Sequence, residues 1–248
     1  MALSASDIKR IRSLQQKKFR QEAKEFIVEG VKTVGELIES EFQLVAVYCT
    51  EAPAYLSSVR SDKIVQVSPK ELGRISGMKK PNKVLAIAEI PDPTPINWND
   101  PLILFLDGIN DPGNLGTIIR TAKWFGINTI ICSEECADAW DRKVVQSTMG
   151  ALFHVNIRYE SLSGAIEESK QQNFKIIGAT MNGSSLYDLK KEGKVGLVIG
   201  SESHGISAEI LACCNETVSI PNAEPFQKVE SLNAGIATAI FLSELKRP

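Results

Sequence analysis

The chain has 248 residues, 43% hydrophobic and 23% charged, with a formal net charge of −2. That is enough chain for one large domain or two modest ones, and no apolar run approaches the roughly 20 residues that span a bilayer. Five cysteines, an odd number, and opening residues without the apolar stretch of a secretory leader argue against a disulfide framework and for a cytoplasmic protein with reduced thiols.

Taken in chain order, the first segment is basic. Met1 to Lys24 carries seven Lys or Arg against two Asp or Glu, and Ile8, Ile11, Leu14 and Lys18 fall at helical spacing. The pattern suits a solvated amphipathic helix. It also suits a polyanion-binding arm in which Lys17, Lys18 and Arg20 meet phosphates. Residues to Ile90 hold 15 basic and 11 acidic side chains, and the remainder 13 and 19, so the positive charge sits in the front of an acidic chain.

After the basic helix come a short apolar run, Phe26 to Gly30, a helix over Val31 to Glu39, and strands at Leu44 to Cys49, Lys63 to Val67 and Val84 to Ile90. These predict a small α/β domain over residues 1–90. Four prolines between Glu89 and Pro101 forbid helix and central strand, which places a linker at residues 91–101. Beyond it, apolar runs begin at Leu102, Thr129, Val155, Lys175, Gly196 and Thr217 and alternate with helical patterns. Runs apolar throughout indicate strands covered on both faces, and the alternation indicates an α/β domain with a parallel sheet over residues 102–248. Ligands in such sheets bind beyond the carboxyl ends of strands.

Three loops at such ends hold the candidate chemistry. The first, Asp107 to Gly116, is glycine-rich at a strand-to-helix junction but fits neither a dinucleotide fingerprint nor a phosphate-binding P-loop. In it Asn114 sits where a helix cap belongs, and Arg120 follows on the helix, where a surface arginine is the plain reading. The second, Gly200 to Gly205, puts Glu202 just past a strand end, with Gly200 leaving room for a flat ligand. The third runs from Ile220 to Leu245, with Ser231 as a helix cap and Ala234, Gly235, Ala237 and Ala239 making one side of the helix small. Cys132 and Cys136 are spaced CxxxC and Cys213 and Cys214 adjoin, but the only histidines are His154 and His204. That is no zinc pattern, and no metal is expected.

Together the loops say more than any one of them. Asn110-x-x-Gly113-Asn114-x-Gly116-x-x-x-Arg120, then Gly200-x-Glu202-x-x-Gly205, then Ser231-Leu232-Asn233 resemble the three motifs of the SpoU (TrmH-like) branch of the SPOUT RNA methyltransferases. Leu14-x-x-Lys17-Lys18-x-Arg20 and Phe26-Ile-Val-Glu-Gly30-Val-Lys32 resemble the L30e-like substrate-binding domain that precedes it in many members. The resemblance implies a C-terminal trefoil knot and S-adenosylmethionine held near Thr180, Met181, Gly200, Ile220 and Leu232. It also implies 2′-O-methylation of a ribose by Arg120 in a pocket built with Asn114, Glu202, Ser231 and Asn233, and a homodimer. The expected partner is RNA, ribosomal in preference to transfer RNA, with no membrane. Guanidinium groups keep their proton in proteins, so an arginine there fits stabilisation of a developing oxyanion better than proton removal. Asn233 is followed by Ala234-Gly235 where many members have Val-Ser. An inactive RNA-binding scaffold of the same fold is the alternative, disfavoured by retention of Asn114, Arg120, Glu202 and Asn233.

Overall fold

The structure is a computed structural model that describes residues 3–190, 192–223 and 231–247. The chain divides into two compact units, Met1–Asp92 with Asp138–His154, and Pro93–Ala137 with Val155–Pro248. In chain order the helices and strands are α1 (Ala5–Ser13), α2 (Lys17–Ala23), β1 (Glu25–Glu29), α3 (Val31–Ile38), β2 (Leu44–Cys49), β3 (Ile64–Gln66), α4 (Pro69–Ile75) and β4 (Val84–Glu89). There follow β5 (Leu102–Asp107), α5 (Pro112–Trp124), β6 (Thr129–Cys132), α6 (Arg142–Thr148), β7 (Asn156–Tyr159), α7 (Leu162–Gln171), β8 (Phe174–Ser185), β9 (Lys194–Gly200), α8 (Ala208–Ala212), β10 (Glu216–Ser219) and α9 (Ala234–Leu245). Residues 90–101 contain neither helix nor strand.

The first unit is built on a four-stranded sheet, β1-β4-β2-β3, antiparallel except for the β2–β3 pair. The basic N-terminal stretch is two helices, since the chain turns at residues 14–16 between α1 and α2. Its apolar spacing serves the core: Ile8, Ile11 and Leu14 are buried with Ile27, Leu72, Leu85 and Ile87. Ser4 and Asp7 cap α1 reciprocally, and Ser68 and Glu71 do the same for α4, each pair satisfying backbone N–H groups that a helix start leaves unpaired.

The segment Asp138–His154, which lies between β6 and β7 in the chain, completes this first unit. Trp140 packs on Phe26 with ring centroids 4.9 Å apart, and Phe153 meets Phe42 edge-on at 5.3 Å. The Arg20 side chain, 3% exposed, donates from Nε and Nη2 to one carboxylate oxygen of Asp138 at 2.9 and 2.7 Å. Its Nη1 donates to the Leu14 carbonyl at 2.9 Å, and Asp141 lies 3.6 Å from Nη2. This corrects the expectation that Arg20 meets RNA phosphate, because its guanidinium is buried and already engaged in folding the unit. Lys17 and Lys18 are exposed.

The second unit is a six-stranded parallel sheet in the order β10-β8-β9-β5-β6-β7. Its strands are the apolar runs of the sequence, and β5 is buried from Leu102 to Leu106. Ile103 and Phe105 pack with Ile166 of α7 and Ile210 of α8; alternation sends Leu104 to the opposite face. From β5 the chain goes outward to β6 and β7, then returns to lay β8 and β9 on the other side of β5. The direction of winding therefore reverses between β5 and β9, whose ends pair at Asp107 and Gly200. A crevice at such a reversal is where open parallel sheets hold ligands.

Candidate active site

The loops leaving β5 and β9 are bound to each other at that reversal. Asp107 accepts the Ser207 N–H at 2.7 Å. The β9 loop folds back on itself through Ser201 and Gly205, whose amides and carbonyls exchange hydrogen bonds of 3.1 and 2.8 Å. A Cβ on Gly200 would lie 2.1 Å from the Gly205 carbonyl carbon. The space at Gly200 is thus taken by its own loop, which corrects the reading that glycine there makes room for a ligand. Gly205 has φ +67, the left-handed conformation in which glycine lacks the usual penalty.

The cap of α5 is Asp111, whose carboxylate accepts the Asn114 N–H at 2.8 Å, with Pro112 at the first helical position. Asn114 is therefore not the cap, and its side chain is free for another use. Its Nδ2 donates to Glu202 Oε1 at 3.1 Å. Likewise the cap of α9 is Asn233 and not Ser231: Asn233 Oδ1 accepts the N–H groups of Gly235 and Ile236 at 3.0 and 3.3 Å. The other end of that amide, Nδ2, donates to Glu202 Oε1 at 2.6 Å and to Asn114 Oδ1 at 2.7 Å. The Ala234 N–H reaches the same Glu202 oxygen at 2.9 Å. One carboxylate oxygen so gathers three donors from two helix starts, and hydrogen bonds to a charged acceptor are about twice as strong as neutral ones. Asn114, Glu202 and Asn233, 31 and 119 residues apart in the chain, close into one network.

α9 lies against α5, and the small residues at its start serve that packing. A Cβ on Gly235 would lie 2.9 Å from Thr117 Cγ2, and Ala234 is buried. Ala234-Gly235 in place of bulkier residues thus allows close approach inside the unit. Arg120 is exposed on α5 and forms no hydrogen bond or ion pair among the described residues. Ser231 is exposed, and Leu232 is 44% exposed.

Of the remaining candidates, Thr180 and Met181 fall where β8 slips in register against β10, between Gly178 and Ser184. Gly183 permits this, since a Cβ there would meet the Thr217 and Val218 backbone at 2.4 to 2.5 Å. Met181 is 67% exposed, while Thr180 Oγ1 is buried without a hydrogen-bond partner, an orphan that a polar ligand group would satisfy. Ile220 is half-buried just past β10. The stretch 224–230 of the third loop lies outside the described residues.

Sequence reading missed the thiol of Cys136, which accepts the Ile109 N–H and donates to the Leu106 carbonyl, both at 3.2 Å, bracing the turn after β5. Hydrogen bonding from Cys132 and then from Ser133 and backbone holds the Cys136 thiol below its ordinary pKa against the opposing effect of burial. No group of three His, Cys, Asp or Glu among the described residues has the arrangement of a metal site.

All three motif loops lie within the segment that one family matches. Residues 101–243 match the SpoU rRNA methylase family, and residues 5–86 match the MRM3-like substrate binding domain. The chain belongs to the SpoU rRNA methylase family. Among relatives of this SpoU protein is the 23S rRNA (guanosine(2553)-2'-O)-methyltransferase RlmP of Bacillus subtilis (strain 168), 25% identical over 96% of this chain and 95% of its own. A TrmH-family structure from Porphyromonas gingivalis is 36% identical with a TM-score of 0.87, covering 99% of this chain and 98% of that one. The AdoMet-bound rRNA methyltransferase from Sinorhizobium meliloti is 28% identical with a TM-score of 0.89, covering 100% and 97%. Membership makes the chain an RNA methyltransferase built as a mixed α/β protein with a parallel catalytic sheet and a smaller N-terminal domain. Among the described residues no helix is long and apolar enough to cross a membrane.

Proposed function

We propose that this SpoU protein methylates a ribose 2′-hydroxyl in large-subunit ribosomal RNA in the cytoplasm, using S-adenosylmethionine. The observation that carries the reading is the Asn114–Glu202–Asn233 network, which joins all three motif loops at the sheet's reversal point. The RNA class follows the relatives, among them a 23S rRNA 2′-O-methyltransferase and an AdoMet-bound rRNA methyltransferase.

S-adenosylmethionine, when bound, supplies an electrophilic methyl group. The orphaned Thr180 Oγ1 supports its fit here, with Met181, Gly200, Ile220 and Leu232 as the other residues that would hold it. Glu202 Oε1 takes three donors, so its part is to fix the two asparagines and the start of α9. Arg120, without a partner among the described residues, meets the ribose oxygen as it becomes anionic and holds the adjoining phosphate. Ser231 beside the network contributes a hydroxyl to the same pocket. Residues 102–248 carry this chemistry and residues 1–90, joined by 91–101, supply RNA contacts that include Lys17 and Lys18.

The reading extends to a C-terminal trefoil knot, implied by the family, and to a homodimer, the latter supported by the exposure of Leu232 and Ile236, 44% and 52%. Light scattering showing a monomer at working concentration would remove the dimer. The deciding experiment incubates the protein with methyl-labelled S-adenosylmethionine and either ribosomal or transfer RNA from a strain lacking the gene, followed by nucleotide-resolution mapping. The expected result is one 2′-O-methylated ribosomal nucleotide; label on transfer RNA would move the substrate, and label on a base or no label would overturn the reaction.

A further inference from the structure

One side chain on α5 is used by neither the core nor the hydrogen-bonded site. Trp124, the last residue of the helix, is 84% exposed. The two other tryptophans are packed, Trp98 against Phe174 with centroids 6.1 Å apart and Trp140 against Phe26. At 100° per residue, Gly113, Thr117, Arg120 and Trp124 form one stripe of α5, all exposed, opposite the buried Leu115, Ile118 and Ala122. Arg120 precedes Trp124 by one turn, about 6 Å along the axis. Helix α5 carries the cations Arg120 and Lys123 and no acidic residue, although the chain beyond Ile90 has 19 acidic side chains to 13 basic.

A flat, rigid indole held in water one helical turn from a guanidinium that has no partner among the described residues has the chemistry to receive an unpaired base and its phosphate. Every nucleobase offers a π face, and recognition of single-stranded RNA relies on splayed bases stacked on aromatic rings. We propose that Trp124 is a stacking platform for an unpaired nucleobase of the RNA substrate, placed one helical turn from Arg120. The proposal rests on the RNA methyltransferase reading and adds a residue that selects unpaired over paired target regions.

The test uses the full chain and two RNA hairpins with identical stems, one with a purine loop and one with an abasic loop of equal length. Trp124 is the one strongly exposed tryptophan, so its emission reports on the contact. The purine loop should quench emission and the abasic loop should not. Trp124→Ala should weaken binding of the purine hairpin by about five- to 150-fold, the range for one base stacked on one ring, and leave the abasic hairpin unchanged. Trp124→Phe should keep most of the affinity. Equal weakening for both hairpins, no weakening, or a halved mass by light scattering in Trp124→Ala would overturn the platform, the last by showing that the indole joins two copies. If the unaltered protein binds neither hairpin the platform also falls, and methyl incorporation into ribosomal RNA then decides separately whether the enzymatic reading stands.

Discussion

Arg20 of the first unit and Arg120 of the second both stand on helices, and their surroundings are opposite. Arg20 is buried with three of its nitrogens engaged by Asp138 and the Leu14 carbonyl; Arg120 is exposed and has no partner among the described residues. The same guanidinium is a structural member in one place and, under the proposed function, meets substrate in the other. Charge alone does not separate the two uses. What separates them is whether the fold supplies carboxylates that saturate the fork.

The largest expected effect breaks the first half of that comparison. Replacing Arg20 by Met strands Asp138 and Asp141, and loss of one partner of a buried pair costs about 3–5 kcal/mol. Urea denaturation should show that loss, with methylation per folded molecule retained; a change below about 0.5 kcal/mol would mean Arg20 is not the structural member described here. Arg120→Ala should do the reverse. Its denaturation midpoint should stay put and cofactor affinity hold, while turnover falls at least about a hundredfold, the scale of losing one oxyanion donor. Near-normal turnover would sink the role given to Arg120.

The smallest effect sharpens the comparison with carboxylates. Glu71 and Glu202 each collect several donors, but Glu71 serves a helix start in the first unit. The Ser68 N–H first, then the Ser68 hydroxyl and the Leu3 N–H, lower its pKa to about 2. A folded-state value below that of the unfolded chain means its contribution is present above the ordinary carboxylate range and is lost as pH falls from about 4.5 toward 2. Glu71→Gln should remove that part of the acid dependence. An unchanged slope of stability against pH in that window would count against it.

Much of this was open to sequence reading because strands buried on both faces must be apolar throughout. Hence β5, β6 and β9 could be read within a residue or two, and β2 and β4 within one. β8 was legible only to Ala179, because its continuation to Ser185 is polar and pairs with β10 across a register slip. Helix α4 went unread although Ser68 and Glu71 form a capping box with Pro69 at the first turn. Asp111-Pro112 likewise marked the start of α5, which would have released Asn114 from a capping role. The three motif loops were recognisable by resemblance, but that Asn233 caps α9 with one end of its amide while binding Glu202 with the other depends on geometry no spacing rule contains. Arg20 could not be told from its basic neighbours, because its partner lies 118 residues away.

The return of Asp138–His154 to the first unit bears on how the protein is made. The N-terminal sheet is synthesised by residue 89, yet Trp140 and the carboxylates for Arg20 emerge later. At about 5–20 residues per second, the ribosome needs about 3 to 13 s more to reach His154. Through that interval Phe26 lacks its indole cover and Arg20 its Asp138 counter-charge, so the first unit cannot be completed before those residues emerge. Gene fusions that cut the chain at the proline-rich stretch would make that incomplete state permanent, and a faithful transplant of the N-terminal domain onto another scaffold must carry two separate pieces of the sequence.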